Sequence, residues 1–498
     1  MVARRVASAA SVASVAALAA GTVALVARRA ARGNDVGPDA DQHFVHVPGR
    51  VDRQLRVWRL SARNSARYAW SRVRGIGSPA DRRAELDEEF AIRTAADVAR
   101  ELGEMKGVLM KAGQMVSFIL ESLPAGAQDA LATLQSDGTP MAPSLAAGVV
   151  SAELGGPPEE VFLDWGDLPA AAASIGQVHR AVTHDGREVA VKVQYPGVHD
   201  AIEHDLDAAE VLYTMFSAML LKSLDARALV DELRARMREE LHYELEAENL
   251  TAFADLFAGH PWVRIPSLVP ELSTDRVLTT EWVEGLSFDQ FVTTATPETR
   301  RRAGEVVWRF AQHAVNRHGM FNGDPHPGNY KFHHDGSVTF LDFGLVKRWQ
   351  PGEWERLRPT LDAVIVDRDP VALLSAMETS GFLREGHGLD PQLVFDYVSS
   401  PYQPYLVDEF RFTRDWMRET LGRILDVRGP HAAVIEALDM PASFVILDRV
   451  VWGVNAILGK LGAEGPYRAM LLEYVIDGPP ATEIGIAESA WRAARASA

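Results

Sequence analysis

Cysteine is absent from all 498 residues, which excludes disulfide bonds, thiol nucleophiles and cysteine-ligated metal centres. The 15 histidines do not have the spacing of a zinc site. The sequence also contains no internal repeat and no low-complexity tract. Because 47% of the side chains are hydrophobic, a chain of this length is expected to bury a large core in two or three compact units.

Lysine and glutamate are missing from residues 1–83, which contain 15 Arg and five Asp. This arm therefore has a formal charge of +10, and the remaining residues carry about −27, for a net charge of −17. Nucleic-acid binding is a poor explanation of the basic arm, because the acidic body would repel a phosphate backbone and no recognition module is present. We expect no nucleic-acid partner.

Long apolar runs are scarce, and the main one is the uncharged stretch Val6–Ala27. It is long enough to span a bilayer, but it is rich in Ala and Ser, which makes insertion marginal. A membrane anchor, a processed leader and a soluble helix all remain open. Residues 55–74 alternate apolar and Arg positions at helical spacing, which is typical of an interfacial helix on anionic lipid or of a helix packed on the body. The sequence favours a cytoplasmic body that associates with an anionic membrane surface or lipid through this arm.

The best indication of function is a pair of motifs near the middle of the chain. The loop from Asp324 to Asn329 reads D-P-H-P-G-N, and Asp342-Phe-Gly follows it after a short strand pattern. In kinase-type sites the first Asp faces the substrate hydroxyl or water, and the Asn and the second Asp bind Mg²⁺. D-F-G alone is a weak signal. A D-x-x-x-x-N motif at this distance before it makes the prediction of a magnesium–phosphate site specific. Asp324 is therefore the candidate catalytic residue, and Asn329 and Asp342 are the candidate metal ligands.

A lysine suited to nucleotide phosphates lies upstream of this loop. Apolar residues alternate along Arg187–Gln194, so that Lys192 occupies the position of the V-A-I-K lysine. A turn and a strand pattern over Ile175–Thr183 precede it, which predicts a hairpin above a nucleotide pocket. An acidic helix pattern over Asp231–Phe257 offers a glutamate to Lys192, but spacing alone does not select one.

A glycine-rich phosphate loop is lacking as well. Alanines occupy the corresponding segment, residues 170–173. Because alanine avoids positive φ, this loop is expected to be stiffer than a glycine-rich loop and to alter nucleotide selectivity. A strand of small packing residues is the alternative interpretation. Further on, the strand pattern Arg276–Val283 leads into a hinge whose backbone is expected to meet adenine. The predicted nucleotide-binding residues are Lys192, Ala171, Ala172, Ala173, Ser174, Glu281 and Val283.

With these motifs the chain resembles the UbiB/AarF family of atypical kinases, also called the ADCK or coenzyme-Q kinase-like family. The resemblance extends from about Leu86 to about Asp367 and includes a K-x-G-Q motif at Lys111–Gln114. It implies ATP or ADP and Mg²⁺ as cofactors, and a role at a membrane in isoprenoid-quinone or other lipid metabolism.

The resemblance also assigns catalytic roles to individual residues. Lys111 and Gln114 correspond to the K-x-G-Q side chains that fold back over the cleft, although an ordinary core helix also explains this segment. Glu240 corresponds to the Glu of the family's E-x-D element, and Glu246 to the partner of Lys192. His242 stands where that element usually has Asp, which leaves its role here open.

The predicted fold class is α+β, with a protein-kinase-like bilobal architecture. A basic arm at 1–83 precedes a K-x-G-Q helical extension at 84–151. A β-rich N-lobe follows at 152–285, with helices inserted between 198 and 257, and a helical C-lobe occupies 286–498. The apolar segment Ser443–Leu461 contains charged residues, which favours a buried helix over a membrane span.

The segment after Gly344 lacks an A-P-E motif and enters a helix pattern at once, so a protein substrate would have no platform. This favours a small-molecule or lipid-linked phosphotransferase, or an ATPase. A phosphotransferase of the aminoglycoside or choline kinase type shares the G-D-x-H-P-x-N loop and is an alternative. A pseudokinase scaffold is disfavoured because Lys192, Asp324, Asn329 and Asp342 are all present. The phosphoryl acceptor is not identified by the sequence.

Overall fold

The structure is a computed structural model that describes residues 141–173, 175–198, 238–384, 386–426, 429–439 and 442–497. The predicted basic arm, the K-x-G-Q residues Lys111 and Gln114, and Ser174 lie outside the described residues. So do residues 199–237, which contain most of the predicted inserted helices.

The N-lobe is built around an antiparallel sheet in the order β1-β3-β4-β6, with β2 also paired to β3. The β3–β4 hairpin turns at Asp185-Gly186, where Gly186 has a φ of +84° that favours glycine. Valines 189, 191 and 193 alternate along β4 and pack with the first helix, α1, in a small apolar core. The strands are β1 Asp164–Trp165, β2 Ala171–Ala172, β3 Gly176–Val182, β4 Glu188–Gln194, β5 Val263–Arg264 and β6 Val277–Glu281. The helices before the sheet are α1 Pro143–Leu154 and α2 Pro158–Val161.

The acidic helix pattern over Asp231–Phe257 does not form one continuous helix, and this prediction was wrong. Within its described part, residues 238–240 are helical, the helix is interrupted at Leu241-His242, and α3 runs over Tyr243–Leu256. His242 has an extended backbone, and the Tyr243 amide donates a hydrogen bond of 3.0 Å to the Asp275 carbonyl. This bond to the chain before β6 replaces a helical one, so α3 starts where it is fixed to the sheet.

The C-lobe is organised by the long helix α5, Pro297–His318. The Thr296 hydroxyl caps its first turn, Pro297 occupies its first position, and Gly319 ends it with a φ of +61°. Twelve of its 22 residues are buried, which is the pattern of a helix surrounded by other elements. The main packing partner of α5 is α11, Ala442–Leu461, the buried helix predicted from the sequence.

Short strands hold the loops between the lobes. The β8–β9 hairpin, Tyr330–Phe332 with Val338–Phe340, pairs with β5, and β7 Met320–Asn322 pairs antiparallel with β10 Val346–Arg348. A further pair joins β11 Phe410–Arg411 to β12 Glu464–Gly465. The remaining helices are α4 Phe288–Thr294, α6 Glu353–Asp362, α7 Pro370–Thr379, α8 Pro391–Val398, α9 Arg414–Leu425, α10 Ala432–Ala437, α12 Tyr467–Val475 and α13 Glu483–Ala496.

A buried charge cluster joins α5 to the last two helices. The Arg309 guanidinium, 1% exposed, contacts Glu305, Glu473 and Glu488 at 2.8, 2.8 and 3.2 Å. The cluster therefore fixes α12 and α13 to the central helix. Within the described residues, no helix is both long and apolar enough to cross a membrane.

Candidate active site

The β4 lysine and the α3 glutamate form an ion pair within the N-lobe, beside the D-F-G aspartate. Lys192 Nζ lies 2.8 Å from both Glu246 Oε1 and Oε2, and 3.7 Å from Asp342 Oδ2. The exposed fractions of the Lys192 and Glu246 side chains are 17% and 7%. A lysine–glutamate pair with the D-F-G aspartate beside it is the arrangement that active protein kinases require. Sequence spacing did not single out Glu246; the resemblance did, and the geometry agrees with it.

Burial and charge act in opposite directions on this pair. Burial raises the pKa of Glu246 to about 7, against the effect of the Lys192 ammonium. Burial by itself would lower the pKa of Lys192, but the carboxylates of Glu246 and Asp342 raise it well above its ordinary value. The lysine therefore stays a cation in a site of low dielectric, where its attraction for phosphate is strong.

The D-F-G segment is locked to α3 by two contacts. The Phe343 side chain is fully buried, and its ring centroid lies 4.9 Å from that of Phe253 on α3. The buried Asn249 amide donates to the Phe343 carbonyl at 3.2 Å, and its oxygen accepts from Arg348 at 3.2 Å. These contacts hold Asp342 toward Lys192. Asn249 was not among the residues predicted from the sequence, although it lies three residues after Glu246, on the same helix face.

Hydrogen bonds within the catalytic loop, and from it to Asp342, fix its conformation. The Asn322 side chain donates to the Asp342 carbonyl at 2.7 Å and accepts from the Asp324 amide at 3.0 Å. The Asn329 amide nitrogen donates to the Asp324 carbonyl at 3.2 Å, so its oxygen is left for another ligand. His326 Nδ1 accepts from the Gly328 amide at 3.1 Å. The structure thus places Asp324, Asn329 and Asp342 in one connected loop system.

This donor set fits a magnesium ion. Asp342 accepts the Gly344 amide through Oδ1, and its other oxygen faces Lys192, so one carboxylate edge is directed into the cleft. Carboxylate and amide oxygens are the protein ligands that Mg²⁺ prefers, with water and phosphate completing its shell. Asn329 and Asp342 would hold the ion, and this assignment stays a prediction.

A tyrosine below the hairpin was not anticipated. The Tyr243 side chain is 1% exposed, and its ring lies 5.0 Å from Lys192 Nζ. Its buried hydroxyl has no hydrogen-bond partner among the residues that the structure describes, and a Cβ built at Gly176 would come within 2.8 Å of it. Tyr243 therefore fills the space between the hairpin and the lysine, and burial raises its pKa far above the ordinary value.

The alanine-rich loop forms the β2–β3 turn. Ala171 and Ala172 pair with Val178 and Gln177, and the Ala173 amide donates to the Gly176 carbonyl at 2.9 Å. The Ala173 N–H is thus used inside the turn and is not directed at a ligand. The predicted stiffness of the loop stays a prediction. Its contact with nucleotide stays a prediction.

The hinge after β6 is only partly available to a ligand. The Glu281 and Trp282 amides donate to the carbonyls of Ser267 and Glu188 at 2.8 and 3.0 Å, and the Glu281 carboxylate accepts from Ser267. Within the described residues, the Val283 backbone makes no hydrogen bond to other backbone groups. Val283 is therefore better placed than Glu281 to meet adenine.

The E-x-D element lies at the entrance to α3. Glu240 is half-buried, and its charge contributes to the raised pKa of Glu246. His242 Nδ1 lies 3.0 Å from Asp275 Oδ1, on an exposed surface. The histidine that replaces the family's Asp thus pairs with the chain before β6. The predicted roles of Glu240, and of Lys111 and Gln114 outside the described residues, remain predictions.

A sheet lobe that carries a lysine, a helix that supplies its glutamate, and a catalytic loop followed by D-F-G together define a protein-kinase-like site. The model of the ABC1 atypical kinase-like domain matches residues 133–376. The chain is also 32% identical to Rv3197 of Mycobacterium tuberculosis, solved in complex with erythromycin, with a TM-score of 0.58 and coverage of 79% of this chain and 98% of that one. The protein belongs to the ABC1 atypical kinase family, which includes the UbiB/AarF proteins, and the predicted α+β kinase-like fold is confirmed.

Two curated relatives illustrate the family. The chloroplastic protein Activity of BC1 Complex Kinase 8 of Arabidopsis thaliana is 34% identical over 55% of this chain and 37% of its own length. The mitochondrial atypical kinase COQ8 of Saccharomyces cerevisiae is 31% identical over 50% of each chain. This chain thus spans half or less of the lengths of these two relatives.

Proposed function

We propose that the protein binds a magnesium nucleotide between its lobes and acts as an atypical kinase or ATPase. The observation that carries the proposal is the position of Lys192, bonded to both oxygens of Glu246 and 3.7 Å from Asp342. Such a lysine is held rigidly, stays charged and lies beside a metal-binding carboxylate. Phosphoryl transfer depends mainly on this kind of positioning and electrostatic stabilisation.

Each polar residue of the site has a role in the proposal. Lys192 would contact the α- and β-phosphates. Asn329 and Asp342 would hold Mg²⁺, which would neutralise phosphate charge. Asp324 orients the acceptor hydroxyl or water and accepts its proton.

The acceptor class follows from the short segment after D-F-G. This segment forms β10, which pairs with β7 and returns directly to the body, because the Trp349 amide donates to the Gly319 carbonyl at 2.8 Å. It offers no extended platform for a peptide. We infer a small-molecule or lipid-linked hydroxyl, or water, as the acceptor, at an anionic membrane surface reached by the basic arm. Family membership, with a relative named as the atypical kinase COQ8, supports a role in isoprenoid-quinone or other lipid metabolism.

The test is ATP consumption by purified full-length protein, with anionic liposomes and with or without a generic peptide. We expect magnesium-dependent hydrolysis that liposomes stimulate and negligible peptide phosphorylation. Asp342→Asn should lower the rate at least 100-fold and remove the magnesium-dependent part of nucleotide binding in a thermal shift assay, because a charged ligand of the cation is lost.

Asp164→Asn is the matched control, since Asp164 is an exposed aspartate on β1, outside the cleft. It should keep the rate and the magnesium dependence. Robust peptide phosphorylation would contradict the inferred acceptor class. An Asp342→Asn protein with unchanged magnesium dependence would contradict the site itself.

A further inference from the structure

The C-lobe contains a pocket that the proposed reaction does not use. Helices α5, α6, α11 and α12 line it, and its cavity volume is about 60 Å³. Its walls are mostly apolar and include Trp308, Val315, Val451 and Val454. This volume is several times the roughly 10–15 Å³ that one water molecule needs. We therefore expect a small occupant.

The polar groups on the wall are nearly all satisfied by one another. Trp308 Nε1 donates to the Tyr405 hydroxyl at 3.0 Å, and the Asn316 amide donates to Gln312 at 2.8 Å. Arg358 Nε contacts both oxygens of Asp362 at 2.8 and 2.9 Å. Because the guanidinium already has its carboxylate, the pocket does not favour an anion.

Asn455 is the exception. Its side chain lines the pocket and is 1% exposed, and its amide nitrogen has no hydrogen-bond partner in the part of the chain that the structure describes. A buried donor without an acceptor is costly, and native proteins satisfy most such groups. Here the donor lies on α11, whose other pocket-lining side chains are all apolar. An acceptor from outside the chain would satisfy it.

We propose that this pocket binds a small, neutral, apolar molecule through a carbonyl oxygen that accepts a hydrogen bond from Asn455. The apolar walls supply the affinity, and the single amide selects for the oxygen. Small-molecule pockets commonly pair an apolar surface with a few precisely placed polar groups. A ligand with an apolar body and one carbonyl oxygen matches both.

Helix α11 lies between the pocket and the catalytic loop. Residues 447, 450, 451, 454 and 455 share one face of α11, and Gly453 lies on the other face, given 100° per residue. A Cβ at Gly453 would come within 2.3 Å of Pro325 Cγ. The same helix therefore contacts the ligand on one side and the D-P-H-P-G-N loop on the other.

Two probes of nearly equal shape test the proposal. Acetophenone carries a carbonyl oxygen, whereas α-methylstyrene has a methylene group in its place. Binding to the full-length protein without nucleotide is measured by saturation-transfer NMR and titration, so that the result is independent of the proposed reaction. We expect acetophenone to bind about two- to tenfold more tightly, which is the contribution of one net hydrogen bond.

Two variants and a control complete the test. Asn455→Leu should remove the preference between the probes without loss of stability, because it deletes an unsatisfied group. Val451→Phe should fill the pocket and abolish binding of both probes, while Val371→Phe, at an exposed position on α7, should change neither. The proposal is overturned by equal affinity for the two probes in the unmodified protein, by no binding at millimolar concentration, or by binding that survives Val451→Phe.

Discussion

Gly176, at the start of β3, shows how one residue controls the approach of the hairpin to the lysine. A Cβ at this position would lie 2.3 Å from the Val193 carbonyl oxygen and 2.8 Å from the Tyr243 hydroxyl. Neither neighbour can retreat, because one is strand backbone and the other is a buried ring. The hairpin, Tyr243 and Lys192 therefore form one packed unit.

Gly176→Ala is expected to destabilise the protein by about 1–3 kcal/mol, because it overpacks a buried site. The shifted hairpin should also weaken nucleotide binding. Urea unfolding and nucleotide titration measure the two effects. Gly148→Ala on α1 is the matched control, since a Cβ there meets nothing within 4 Å, and it should be neutral or stabilising by up to about 1 kcal/mol. Equal stabilities of the two variants would contradict the packing described for Gly176.

At the scale of elements, α11 supports the catalytic loop by close contact. Position 453 on this helix requires glycine, because any side chain there would collide with Pro325. Pro325 follows Asp324 directly. A side chain at position 453 would displace the loop and, with it, the carboxylate that faces the acceptor. A displacement of the catalytic carboxylate by about 1 Å lowers the reaction rate more than it weakens nucleotide binding.

Gly453→Ala is therefore expected to lower kcat at least tenfold while the nucleotide Kd changes less than threefold. Gly422→Ala on α9 is the control, because a Cβ there meets nothing within 4 Å. Steady-state kinetics and calorimetric titration distinguish the two parameters. A Gly453→Ala enzyme with unchanged kcat would show that α11 does not position the loop.

At the scale of the whole molecule, buried groups make stability depend on pH. Burial lowers the pKa of His260 to about 4, and His260 Nδ1 accepts hydrogen bonds from the Trp262 and Val263 amides. Burial would raise the pKa of Glu488, but hydrogen bonding and charge from His313 and Arg309 lower it to about 2. Both groups bind protons less well when folded than when unfolded, so both stabilise the protein above their unfolded pKa values.

As the pH falls, His260 should therefore lower the free energy of unfolding between about 6.5 and 4, and Glu488 should lower it between about 4.5 and 2. Glu246, whose pKa burial raises to about 7, acts in the opposite direction between about 7 and 4.5. Denaturant unfolding at pH 7, 5.5 and 4 measures this. His260→Asn keeps an acceptor for the backbone but does not titrate, so its unfolding free energy should fall less between pH 6.5 and 4. Identical slopes for the two proteins would exclude His260 as a source of the acid sensitivity.

The charge asymmetry of the chain is also a property of the whole molecule. Deletion of residues 1–83 removes a formal charge of +10, and it should move the protein from the pellet to the supernatant in sedimentation with anionic liposomes. Salt should weaken the binding of the intact chain, because screening acts on surface charge. Neutral liposomes provide the control. Equal pelleting of the truncated protein would place the membrane contact elsewhere.

The sequence by itself determined the chemical inventory and the class of fold. Lys192, Asp324, Asn329 and Asp342 could be assigned from local motifs, because short spacings fix how neighbouring residues face a loop or a strand. The β3–β4 hairpin and α11 followed from alternation and helical periodicity. The domain boundaries proposed at 83, 151 and 285 stay predictions.

Only the tertiary structure decided which distant residues meet. The partner of Lys192 is 54 positions away. Spacing alone left several glutamates open, the family resemblance pointed to Glu246, and the fold places Glu246 against the lysine. The break at Leu241-His242 arises because Tyr243 bonds to Asp275, a contact that helical periodicity does not encode. Tyr243 below the hairpin, Gly453 against Pro325 and the unpartnered Asn455 likewise depend on packing between elements far apart in sequence, which local patterns do not specify.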